Sequence, residues 1–203
     1  KVDEVKPAID SLLEIADKNL KQALETKEPN WNTLLNLEEN DEKITQAFSS
    51  ISHMNAVCNT KELRESYEYA IAKLTEFYTK VGQNKELYNL YKQVQNQQLD
   101  KEQAQAVRKA IVSFEQSGVN LDESKRKRLQ EISQELAQLS SKFENNVLDA
   151  TMDWIYSTSD EKELKGLSSN TIEAAKTKAK QKELSDAYAL GIDIPTYLAV
   201  LQQ

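Results

Sequence analysis

Apolar residues recur every three or four positions through most of this chain, and little interrupts them. Ile9, Leu12, Leu13, Ala16, Leu20, Ala23 and Leu24 trace one face of a helix. The spacing returns in Leu34, Leu37, Ile44, Phe48 and Ile51, with a weak patch at Glu38 to Glu42. It returns again in Leu63, Tyr67, Ala70, Ile71, Leu74, Phe77 and Tyr78, then in Leu87, Leu90, Tyr91 and Val94, and in Ala104, Val107, Ile111 and Phe114. A many-stranded fold needs a turn every ~8–12 residues. Four glycines and three prolines in 203 residues cannot supply them. The fold class expected is mainly α.

Local signals divide the pattern into helices. Pro7 suits a first turn, where a missing N–H does little harm, so the first helix spans about residues 3–26. Pro29-Asn30 ends it and opens a second helix over residues 31–53. Asn59 reads as the next N-cap, with Glu62 completing a capping-box spacing, and Gly82 as a left-handed stop. Asn84 starts a shorter helix, Asp100 with Gln103 another, and Gly118 closes that one. Asp122 opens a long helix whose Leu129, Ile132, Leu136, Leu139 and Phe143 form a heptad-like seam.

The character changes after Asn145-Asn146. Residues 151–158 are rich in β-branched and aromatic side chains and read as a strand. Ser168 caps a helix to about Leu184, residues 187–192 read as a second strand, and Asp193-Ile194-Pro195 turns into a last helix over 196–203. The organisation expected is therefore a multi-helix bundle over residues 1–145 and a small strand-helix-strand-helix segment over 146–203. Two strands make no stable free sheet, and Tyr197, Leu198, Val200 and Leu201 leave an apolar surface at the end of the chain. Both lead to the expectation that the natural polypeptide continues past Gln203. An open surface over the last ~60 residues also favours association between chains.

Composition narrows the chemistry. The net charge of −7 disfavours nucleic acid, whose phosphates reward basic surfaces. No apolar run approaches the ~20 residues that span a bilayer, so no membrane partner is expected. Lys1-Val2-Asp3-Glu4 lacks an apolar signal core, and Cys58 is the single cysteine, so a reducing, cytoplasmic setting is expected. His53 is the single histidine. The His-Glu-x-x-His zinc motif cannot be built, no G-x-S-x-G elbow exists, and the glycines are too dispersed to cradle phosphate.

The remaining candidates have structural readings. His53 and Cys58 lie about 140° apart around a helix and do not share a face; Cys58 reads as a small semi-buried group at a helix end. Lys125-Arg126-Lys127-Arg128 reads as a solvated first turn balanced by Asp122, Glu123, Glu131 and Glu135. Tyr67, Phe77, Tyr78, Tyr88 and Tyr91 read as core or half-buried packing, and Trp31 and Trp154 as packing anchors. Glu38-Glu39 and Asp160-Glu161 read as surface acids. No catalytic, cofactor-binding or metal-binding residue is assigned within this chain.

The order of several short motifs carries more than any one of them. Pro7-Ala8-Ile9, Pro29-Asn30-Trp31, His53-Met54-Asn55-Ala56-Val57, Glu62-Leu63-Arg64-Glu65 and Leu87-Tyr88-x-x-Tyr91 precede the run Leu139 to Thr151. Leu164-x-Gly166-Leu167 and Asp193-Ile194-Pro195-x-Tyr197 follow it. The series resembles the N-terminal part of the thimet oligopeptidase family of zinc metallopeptidases, above all in that family's Leu-Ser-x-Lys-Phe-x-x-Asn-Val-Leu-Asp-Ala-Thr signature. Met54 stands where the family usually has leucine, and Ala189-Leu190-Gly191 loosens the second strand. The resemblance implies a two-lobed, mostly helical enzyme that cuts short peptides in a deep channel. Its zinc, held by a His-Glu-x-x-His helix and a further glutamate, lies in a part with no counterpart here. This chain is then expected to form part of the channel wall, partnered by the C-terminal catalytic part of the same polypeptide, and to have no activity alone. The alternative from the residues themselves is a free-standing α-helical protein-interaction module.

Overall fold

The computed structural model describes residues 1–202. A 3₁₀ turn at Val2–Glu4 leads into α1 (Val5–Leu24), followed by α2 (Trp31–Val57), α3 (Lys61–Gly82), α4 (Lys85–Gln95), α5 (Lys101–Gln116) and α6 (Glu123–Asp153). Then come β1 (Tyr156–Thr158), a 3₁₀ turn at Glu161–Leu164, α7 (Ser169–Gln181), β2 (Tyr188–Leu190) and α8 (Ile194–Leu201). The architecture is mainly α with one small two-stranded sheet. The chain forms two compact units, Lys1–Ser141 and Lys142–Gln203.

In the first unit, α1 packs along α2 and α3, and α4 packs on α5. Two apolar clusters result. The first joins Leu34 of α2 to Leu87, Leu90, Tyr91 and Val94 of α4 and to Val107, Ile111 and Phe114 of α5. The second joins Ala16, Ile44 and Leu74, with Leu12, Leu13, Phe48 and Phe77 packed against them. Tyr67 stacks on Phe48 at 5.6 Å between ring centres, and Tyr91 meets Phe114 at 5.2 Å. In the second unit, β1 and β2 pair antiparallel, with Tyr156 opposite Leu190, Ser157 opposite Ala189 and Thr158 opposite Tyr188. The face of α7 carrying Ala175 and Ala179 covers β2, where Ala189 is buried.

Short-range chemistry sets most helix starts. Asn84 accepts from the Leu87 N–H, Asp100 and Gln103 form a reciprocal capping box, and Ser168 accepts from the Thr171 N–H. Gly118 adopts φ +85° after α5; its N–H bonds the Glu115 carbonyl and the Val119 N–H bonds that of Phe114. That is the paired closure of a Schellman stop.

Several expectations are corrected. Asn59 does not cap α3: it adopts φ +34°, its amide donates to the Asn55 carbonyl, and Arg64 donates to its side-chain oxygen. It turns the chain, as a short polar side chain tolerates that conformation, and Thr60 is the cap, accepting from the Leu63 N–H. Gly82 is not a left-handed stop either. It is the last residue of α3, and a Cβ there would lie 2.8 Å from the Ser117 side chain, so glycine serves a close approach. α2 continues four residues past His53 to Val57, and Cys58 beyond it is exposed rather than half-buried. Thr151–Asp153 are helical: Thr151 donates its hydroxyl to the Val147 carbonyl, and helix hydrogen bonding outweighs the local strand preference. Each strand accordingly has three residues, and Trp154 is exposed instead of anchoring a sheet.

At Gly118 both the positive φ and the packing exclude a side chain, since a Cβ would sit 2.7 Å from Leu121 and 2.8 Å from Leu129. Gly118→Ala is therefore expected to destabilise the chain by about 1–3 kcal/mol, read from urea denaturation against wild type. Gly118→Asn, which tolerates the backbone better but meets the same packing, is expected to be destabilised as well.

Candidate functional site

The heptad-like seam of α6 is only partly buried. Leu129 at its start is half-buried, but Leu136 is 58% exposed and Leu139 is 55% exposed within the first unit. In the second unit Phe143 is 69% exposed, and Val147, Met152 and Trp154 are exposed as well. α8 buries none of its residues, so Ile194, Tyr197, Leu198 and Leu201 present their side chains to solvent. An amphipathic helix gains little from an apolar face that remains in water, so such faces mark contact surfaces.

Asp193 organises the approach to α8. Its carboxylate accepts from the Thr196 N–H at 3.0 Å, capping the helix, and pairs with the Lys178 ammonium of α7 at 3.0 Å. Burial alone would raise its pKa. The Thr196 hydrogen bonds and the Lys178 charge outweigh that and hold it at about 2. Gly191 beside this pair is buried, and a Cβ there would meet the Lys178 ammonium.

The sequence candidates do not converge. His53 and Cys58 are both exposed, at the end of α2 and just beyond it. Lys125 pairs with Asp122 at 2.9 Å and Arg128 with Glu131 at 3.1 Å, both at the surface. Tyr67, Tyr88 and Tyr91 are buried, Phe77 is half-buried and Tyr78 is more exposed. Trp31 is half-buried against the first cluster. Asp160 caps the 3₁₀ turn through the Lys162 N–H, next to exposed Glu161. Glu38 and Glu39 are both exposed, as expected, and Glu38 accepts from the buried Tyr91 hydroxyl at 3.2 Å. Burial, reinforced by the Glu38 charge, raises the Tyr91 pKa; burial and hydrogen bonding to Asp41 raise that of Tyr78. Neither carboxylate contact follows from spacing alone, because it depends on which helix faces α2.

Among the described residues no three His, Cys, Asp or Glu side chains are placed to hold a metal ion. Zinc, which the resembling family uses, does not fit the residues described, and no step through it follows from them. No described helix is long and apolar enough to cross a membrane.

A helical domain with two apolar clusters, an exposed seam and no metal centre among its described residues is the class of protein this fold defines. Residues 9–126 match the family described as neurolysin/thimet oligopeptidase, N-terminal domain, and the chain belongs to that family. It is 38% identical to oligopeptidase A of Haemophilus influenzae over 99% of this chain and 30% of that protein. It is 42% identical to oligopeptidase A of Salmonella typhimurium over 84% of this chain and 26% of that protein. A probable cytosolic oligopeptidase A of Arabidopsis thaliana is 32% identical over 98% of this chain and 30% of its own length. The chain thus spans less than a third of the relatives it matches.

Because the folded pKa of Asp193 is depressed, its contribution is complete above the unfolded carboxylate range near pH ~4 and is lost as pH falls towards 2. Asp193→Ala is expected to cost about 1 kcal/mol at neutral pH through the lost cap. The gap to wild type should narrow as pH falls below ~4. Denaturation curves at pH 7 and pH 2.5 check both the size and the sign.

Proposed function

We propose that this chain is the N-terminal, non-catalytic part of a zinc-dependent oligopeptidase that hydrolyses short peptides in the cytoplasm. Residues 1–145 form part of one lobe and residues 146–203 begin the other, together contributing wall to the channel in which peptides are cut. The carrying observation is the family match over residues 9–126 combined with alignment to only about 30% of the relatives' length. The exposed apolar side chains of α6 and α8 support the same reading. On this reading they pack against the catalytic portion, which holds the zinc and the general base. The wall's work is to restrict access and to orient the peptide; orientation of this kind lowers a barrier without any reacting group in the wall.

A chimera tests the proposal: the corresponding N-terminal segment of an oligopeptidase A relative is replaced by these 203 residues. The chimera is expected to cleave a short fluorogenic peptide and to lose activity on zinc chelation, while the isolated chain cleaves nothing. Leu139→Asp with Phe143→Asp in the chimera is expected to lower activity by about tenfold or more, the cost of forcing two charges into an apolar contact. An inactive chimera beside an active parent, or cleavage by the isolated chain, would overturn the reading. The alternative, a free-standing helical interaction module, predicts that the chimera is inactive before any substitution is made.

A further inference from the structure

The apolar row of α2 runs Leu34, Leu37, Ile44, Phe48, and the position that should continue it between Leu37 and Ile44 is Asp41. Asp41 is half-buried. Beside it the two clusters of the first unit fail to meet. Between them lies a cavity of about 410 Å³, with Ala16, Ile44 and Phe77 on one side and Leu37, Leu87 and Phe114 on the other. Glu38 and Asp41 also line it, and no lysine or arginine does. No ion pair to either carboxylate is found among the described residues.

Glu38 stands exposed at the rim, while Asp41 is half-buried against the apolar wall, where a charge costs stability unless something compensates it. Here the compensation within the chain is neutral. The Tyr91 hydroxyl donates to Glu38 and the Tyr78 hydroxyl to Asp41, with Thr45 close by. Both tyrosines have raised pKa values, so their hydroxyls stay protonated donors. Each carboxylate keeps further lone pairs, since an ionised carboxylate accepts up to about four hydrogen bonds. The size falls within the range of small-molecule pockets, about 300–1,000 Å³, and the pattern of apolar walls with a few convergent polar groups is theirs too.

We propose that this cavity binds a small amphiphilic ammonium compound, its apolar body between the two clusters and its cationic head on Asp41 and Glu38. An anion is repelled by the pair. A neutral ligand of the same shape fills the apolar gap but brings neither carboxylate an opposite charge. The site lies wholly within the first unit and is independent of the peptidase reading.

The test titrates the 203-residue chain with n-hexylamine, n-hexanol and hexanoate, followed by amide NMR shifts and calorimetry. Hexylamine is expected to shift the amides of Ala16, Leu37 and Ala110 saturably and to bind about tenfold more tightly than hexanol, the scale of a charge-assisted hydrogen bond. Hexanoate is expected to leave those amides unmoved. Asp41→Asn with Glu38→Gln keeps the shape and should bring hexylamine down to the hexanol affinity. Equal binding of amine and alcohol, amine shifts confined to other surface acids, or no saturable shift at millimolar amine overturns the proposal. The comparison of the three ligands on wild type decides it even if a variant fails to fold.

Discussion

The helical unit is organised by α4, the shortest of its helices. Leu87, Tyr88, Leu90, Tyr91 and Val94 are all buried, which is a wide face for eleven residues. An isolated helix of that length is marginal in water. Its stability therefore comes from being enclosed by Leu34 of α2 and by Val107, Ile111 and Phe114 of α5. The enclosure fixes what surrounds it. Tyr88 reaches Glu115 at 2.8 Å and Tyr91 reaches Glu38 at 3.2 Å, so two buried phenols find acceptors on two different neighbours. The end of α3 is drawn so close to Ser117 that only glycine fits at position 82.

α6 behaves differently. Its first turn is tied down by the Asp122 cap and by Leu129 against Gly118, yet the helix continues to Asp153 with most of its apolar row in water. Burial of one apolar residue is worth about 1.5–3 kcal/mol, and Ile132, Leu136, Leu139, Phe143 and Val147 all leave much of that unrealised. The second unit has the same character on a smaller scale. Leu164, Ala175, Ala179 and Ala189 form its buried interior, and alanines bury little area. On the proposed function, membership of a family whose matched members are about three times as long would give these open faces a physical rationale.

The features that sequence reading anticipated are those settled within one turn of chain. The caps at Asn84, Asp100 and Ser168 each need a side-chain oxygen three residues before an N–H. The stop at Gly118 needs only a residue without Cβ. The errors share the opposite cause. Asn59 and Thr60 both suit an N-cap by composition; the Arg64 contact and the positive φ at Asn59 separate them. Residues 151–153 have strand-forming side chains but extend a helix already formed behind them. Trp154 and Cys58 are exposed because no element of the described chain covers them, which no local pattern reports.

The cavity makes the division sharpest. The interruption at Glu38 to Glu42 was visible as a weak patch in an apolar row, but whether it faced water or a gap depended on helices α1, α3 and α4 arriving from other parts of the chain. Sequence alone determined the helical class, the order of elements and most of their starts, because side-chain period and capping act over three or four residues. Tertiary structure alone decided which faces were buried, which carboxylates met tyrosines and where the two clusters failed to close. Burial and charge pairing belong to surfaces brought together from distant positions, and no window of neighbouring residues contains them.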